Sequence, residues 1–64
     1  MRADLAAESA EFVHQIKQGE EAERAGDIGF SLACYLNAQR LYPLSELARA
    51  GIERLSAQIL DKGS

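Results

Sequence analysis

Sixty-four residues leave room for one small domain, and 11 of the 30 apolar residues are alanine, so only 19 larger side chains remain to build a core. One cysteine and one histidine exclude an internal disulfide and a zinc site, and the formal charge of −3 argues against a nucleic-acid partner. No apolar run is long enough to cross a bilayer, and Asp4, Glu8 and Glu11 interrupt any signal-peptide-like stretch.

Helix signals dominate in chain order. Asp4 is placed to cap a first helix over 5–25, where nearly every residue favours a helix and Leu5, Phe12, Ile16, Gly19 and Ala22 form one stripe. Gly26 supplies a C-terminal stop, and Asp27 can cap the next helix at once. The second segment, 28–41, carries Phe30, Leu32, Ala33, Tyr35, Leu36, Ala38 and Leu41. Its apolar surface is broad, as a central helix requires. Pro43 ends it. Ser45 and Glu46 open a third helix over 46–60, with Leu47, Ala48, Gly51, Ile52, Leu55 and Ile59 as its apolar residues, and Asp61–Ser64 reads as a frayed tail. The expectation is an all-α domain over 1–64, with three antiparallel helices joined by short links.

The order of small and large residues between Gly19 and Pro43 resembles a tetratricopeptide repeat: Gly19-x-x-Ala22, Gly26-Asp27, Ser31, Tyr35, Ala38, Pro43. Gly19, Ala22 and Ser31 let two helices approach, Tyr35 fills the gap, and Ala38 admits the next helix. One hairpin alone buries too little, so the third helix closes it. A longer stretch runs from Phe12 through Gly19-Glu20-Glu21, Gly26-Asp27 and Asn37-Ala38 to Leu41-Tyr42-Pro43. It resembles the small, twenty-kilodalton presequence receptors of the mitochondrial outer-membrane translocase over about Phe12 to Ile52.

That resemblance implies a receptor and not an enzyme, without a cofactor. It implies an apolar groove that binds the basic amphipathic helix of a targeting presequence, at the cytosolic face of the mitochondrial outer membrane, alongside other translocase subunits. No membrane insertion by this chain itself is expected. Carried over by position, Phe12, Val13 and Ile16 line the groove from the first helix and Leu41 lines its floor. Two registers remain open for the third helix: Leu47, Ala50 and Gly51, or Ala48, Gly51, Ile52 and Leu55. The apolar stripe favours the second, with Leu47 flanking it.

Two features of the residues themselves agree with a groove. Phe12 and Val13 lie about 100° apart on a helix, so the first helix has more apolar width than one neighbour needs. Charge is also uneven. From Asp4 to Asp27 there are seven acids and two bases, net −5, whereas Ile28 to Ser64 carries three acids and four bases, net +1. Glu20 and Glu21, with Glu23 nearby, could steer a basic partner; an i,i+4 pair of Glu20 with Arg24 on a solvated face accounts for the same residues. The remaining residues point to no chemistry. Glu11 and His14 make half of a di-iron pattern with no second half. Cys34 reads as a buried thiol, Tyr35 and Tyr42 as packing residues, and no serine has a His/Asp arrangement around it. The rival reading is a generic helical-hairpin adaptor or assembly subunit that docks another protein.

Overall fold

Two short breaks divide the chain into three helices, and each break is closed by hydrogen bonds that the local sequence supplies. The computed structural model describes residues 2–63, with side chains described over 9–61. Helix α1 spans Arg2–Ala25, α2 spans Ile28–Leu41 and α3 spans Glu46–Gly63.

The first break is a Schellman turn. Gly26 takes φ +86°, a left-handed conformation that glycine adopts without a Cβ penalty. The Asp27 N–H donates to the Ala22 carbonyl at 2.9 Å and the Gly26 N–H to the Glu23 carbonyl at 3.1 Å, the two bonds of that motif. The Asp27 carboxylate then accepts from the Phe30 N–H at 3.3 Å and caps α2. The second break is a turn over Tyr42–Ser45, in which the Ser45 N–H donates to the Tyr42 carbonyl at 3.0 Å around Pro43. Ser45 caps α3 by accepting from the Ala48 N–H at 3.4 Å.

Both outer helices run longer than expected. α1 starts at Arg2, which puts Asp4 inside the helix and not at its cap; the Leu5 side chain lies outside the described residues. α3 continues to Gly63, so Asp61–Gly63 is helix and not a tail. Nothing in Arg2-Ala3 or Asp61-Lys62 opposes helix formation, and the sequence carries no breaker until Gly63.

α2 packs against both α1 and α3, while α1 and α3 barely meet. The Cα atoms span 47 × 22 × 12 Å. A triangle of helices at 8–10 Å spacing is about as broad as it is deep; these three make a bent row with α2 in the middle. The core consists of Ile16, Tyr35, Ala38, Ala48 and Leu55, with Phe12, Ile28, Leu32 and Ile52 packed around it. Ala22 and Cys34 are buried as well. Among the described residues, no helix is long and apolar enough to cross a membrane.

Tyr35 holds the row together. A Cβ on Gly19 of α1 would stand 2.9 Å from one edge of its ring, and a Cβ on Gly51 of α3 would stand 2.6 Å from the other. Glycine is required at both places because the ring occupies the space of the missing methyl. Ser31, fully buried one turn earlier on α2, donates its hydroxyl to the Gly19 carbonyl at 2.6 Å, which satisfies that buried polar group. The small residues expected to allow close approach do so, and Tyr35 fills the gap between them.

Candidate functional site: the seam between the first and third helices

Because α2 sits in the middle of a bent row, α1 and α3 face each other across a seam floored by Tyr35. One contact fixes which sides of the outer helices look into it. Arg54 of α3 donates through Nε to Glu23 Oε2 at 2.7 Å and through Nη2 to Glu23 Oε1 at 2.8 Å, a two-pronged pair that bridges the seam. The Arg54 guanidinium carbon also lies 6.0 Å from the centroid of the Tyr35 ring.

This geometry sorts the residues of α1. At 100° per residue, Ser9, Phe12 and Ile16 lie within about 40° of Glu23 and line the same wall. Ile16 is buried and Phe12 partly so. Glu20 lies about 60° round, on the rim; it is exposed, and lines a hollow with Glu23, Arg24 and Arg54. Val13 is about 80° away and 47% exposed, set beside Ala10, His14 and Lys17 on the outer flank. Glu21 lies about 160° away, on the solvent side. Of the two carboxylates expected to steer a partner, Glu20 is at the seam and Glu21 is not.

On α3 the wall is read from Arg54. Leu47, seven residues earlier, is about 20° from it and 62% exposed. Gly51 lies between, with its backbone against Tyr35. Ala48 and Leu55 are fully buried in the core, and Ile52 is about 160° from Arg54. The register that the apolar stripe favours is therefore the α2-facing core. The wall toward α1 carries the first register, Leu47, Ala50 and Gly51: Ala50 is exposed and about 40° from Arg54, and Gly51 is about 60° from it. Leu41 does not line the floor either: it lies in a separate hollow with Glu11, Gln15, Asn37 and Arg40, at the junction of α1 and α2. The floor consists of Tyr35 and, further along, Tyr42.

Toward the N-terminal half of α1 the seam opens. Ser9, Phe12 and the turn Tyr42–Ser45 line a hollow of about 550 Å3. The rings of Phe12 and Tyr42 meet edge to face with centroids 5.0 Å apart, and the Tyr42 hydroxyl lies 3.2 Å from Ser9 Oγ. Leu44, at the lip, is 95% exposed. An aliphatic side chain that has lost nearly all contact with its own protein is available to another.

The opposite end is charged: Glu20, Glu23, Arg24 and Arg54 line its hollow. The Arg54 guanidinium holds the Glu23 carboxyl below its ordinary value, chiefly through the hydrogen bonds, against the opposing effect of burial. Glu23 in turn raises Arg54 further above its already high value. Burial raises the Tyr35 phenol; nearby Arg54 opposes this, while Glu23 and Glu20 reinforce it. The ring thus floors the seam with its tip close to these charges. Among the described residues no ion pair joins Glu20 to Arg24, so the local pair expected within α1 gives way to the Glu23–Arg54 pair across helices.

Elsewhere, two of the residues that pointed to no chemistry are engaged within the fold. The Glu11 carboxylate accepts from the Gln15 amide at 2.7 Å. Cys34 is 2% exposed, and burial, aided by the charge of Asp27, raises its thiol pKa. Sequence reasoning missed Leu44, Tyr42 and Arg54 as parts of the site. Arg54 had one usable signal: its heptad spacing from Leu47, with a glycine between. Set against known protein families, curated proteins and solved structures, the chain matches none.

Proposed function

We propose that this chain is a receptor domain that binds a basic amphipathic helix in the seam between α1 and α3, the type of helix found in mitochondrial targeting presequences. The observation that carries this reading is the open end of the seam. A hollow lined by Phe12, Tyr42, Pro43 and Leu44 presents an aliphatic side chain, Leu44, that is 95% exposed, and Leu47, in the first turn of the helix that follows, is 62% exposed. The apolar face of a partner helix would cover them, while its basic face would stay in water near the acidic first helix. In this reading the domain works at the cytosolic face of the mitochondrial outer membrane, with other translocase subunits as neighbours. It hands cargo onward and does no chemistry on it.

The physical consequences follow from size. A short hollow and two leucines make a small interface, and a presequence must also become ordered to use it. The affinity is expected on the order of micromolar. Apolar burial supplies most of it, and the charge on α1 mainly speeds encounter and weakens with salt.

The test is a titration of isotope-labelled protein with a peptide that has leucines on one helical face and arginines on the other. A scrambled peptide of the same composition serves as comparator. Shifts are expected at Phe12, Tyr42, Leu44 and Leu47 with the ordered peptide alone. Leu44→Asp and Leu47→Asp change exposed residues and leave the fold intact; each is expected to weaken binding about tenfold, on the order of one lost apolar anchor. Phe30→Asp, on the far side of α2, should change nothing. Equal binding by wild type and both leucine variants, or equal binding of the scrambled peptide, overturns the reading.

A further inference from the structure

The two ends of the seam differ in chemistry, and the distance between them is fixed by α1. Phe12 marks the apolar hollow. Glu20 lies eight residues on, about 12 Å along the axis. Glu20 is exposed, and its carboxylate has no ion-pair or hydrogen-bond partner among the described residues. Glu23, one turn further, is already held by both prongs of Arg54. Arg24 lines the same end beside Arg54. A cation that travels from the hollow along the seam therefore meets the Ile16 wall, then the Glu20 carboxylate, then the Glu23–Arg54 pair with the Arg24 guanidinium beside it.

Resting on the receptor reading above, we propose that the seam selects its ligand by spacing. It takes a helix whose apolar anchor sits in the Phe12–Leu44 hollow and whose arginine or lysine lies seven residues away on the same face, opposite Glu20. Seven residues of ligand helix rise about 10.5 Å and return to within about 20° of the anchor, which matches the gap from hollow to carboxylate. A cation four residues from the anchor falls against Ile16, where it finds no carboxylate. A cation 11 residues away reaches the Glu23–Arg54 pair, whose carboxylate is already engaged, and the Arg24 guanidinium beside it, whose like charge disfavours it there. Glu20 thus attracts at one position, and Arg24 disfavours a cation at the next.

The test uses the full chain and a set of peptides with one constant leucine face. Each peptide carries a single arginine placed 4, 7 or 11 residues from the anchor leucine, in both chain directions. Dissociation constants are measured at low and high salt. The arginine at seven is expected to bind about two- to fivefold more tightly than at 4 or 11, as one exposed ion pair allows, and the preference should fade in high salt. Glu20→Gln should level the series at low salt while leaving the dependence on leucine intact. Arg24→Gln should recover part of the loss at 11. Equal affinity across the series, or a preference that survives Glu20→Gln, overturns the spacing rule and leaves the receptor reading standing. Binding by no peptide, or self-association of the chain that blocks the hollow, overturns both.

Discussion

Tyr35 is wedged between two backbones, and the sign of a glycine substitution depends on whether that ring is there. Alanine in a helix interior is favoured over glycine by about 1 kcal/mol. At Gly51 the added methyl would stand 2.6 Å from the ring, which cannot swing aside because its other edge meets Gly19. Overpacking of this kind costs about 1–3 kcal/mol. Gly51→Ala is therefore expected to lower the melting temperature, whereas Gly29→Ala, where a Cβ meets nothing within 4 Å, should raise it. Thermal unfolding followed by circular dichroism reads both signs. Cys34 gives a second residue-scale expectation. Its burial and raised thiol pKa keep the thiolate scarce in the folded chain. A disulfide reagent should label it slowly in buffer and rapidly in denaturant; fast labelling of folded protein would place the thiol outside the core.

Among the elements, α1 and α3 owe their mutual position to Tyr35 and to the Glu23–Arg54 pair. The pair lowers the Glu23 pKa in the folded state. Its contribution to stability is present above the ordinary carboxylate value of 4.5 and is lost as pH falls through the lowered one. The stability difference between wild type and Glu23→Gln should be largest near neutral pH and vanish in acid. Arg54 is half exposed, so salt should shrink the difference. A difference that grows as pH falls would contradict the pair's role. The elements themselves were legible in the sequence, because their ends are set locally: Gly26 needs a left-handed turn, Asp27 and Ser45 cap their own helices, and Pro43 bends the chain. The outer ends of α1 and α3 were less legible, since no breaker stands where the expected ends at Leu5 and Leu60 were placed.

For the whole molecule, legibility depended on which neighbour a stripe reports. Apolar periodicity on α3 marks the side turned to α2, so Ala48, Ile52 and Leu55 read as one set and proved to be core. The side turned to α1 bears a glycine, an alanine, an arginine and one leucine, a combination with little hydrophobic signature. Leu41 was misplaced for a related reason: from an apolar residue near a helix end, sequence does not reveal which side of a bent row it joins. Phe12, Ile16 and Glu20 lie toward the seam by helical phase, within about 60° of Glu23, whereas Val13, the residue that gave α1 its extra apolar width, lies on the outer flank. The exposed Leu44 and Leu47 arise from a shortage of partners, since three helices in a row leave the outer pair without a fourth to lie across them. Presequence-like peptides should accordingly perturb the α1 and α3 amides at the open end more than those of α2, which amide shifts along the chain can check.

The wedge at Tyr35 has a kinetic side. A phenol clasped by glycine backbone on both edges cannot turn over its twofold axis unless the flanking helices draw apart for an instant. Its two edges should therefore give separate aromatic proton signals, or signals broadened by slow exchange, and the flip rate becomes a clock for how often the molecule breathes. A ligand that bridges the outer helices should slow that clock, with no need for any label beyond the ring itself.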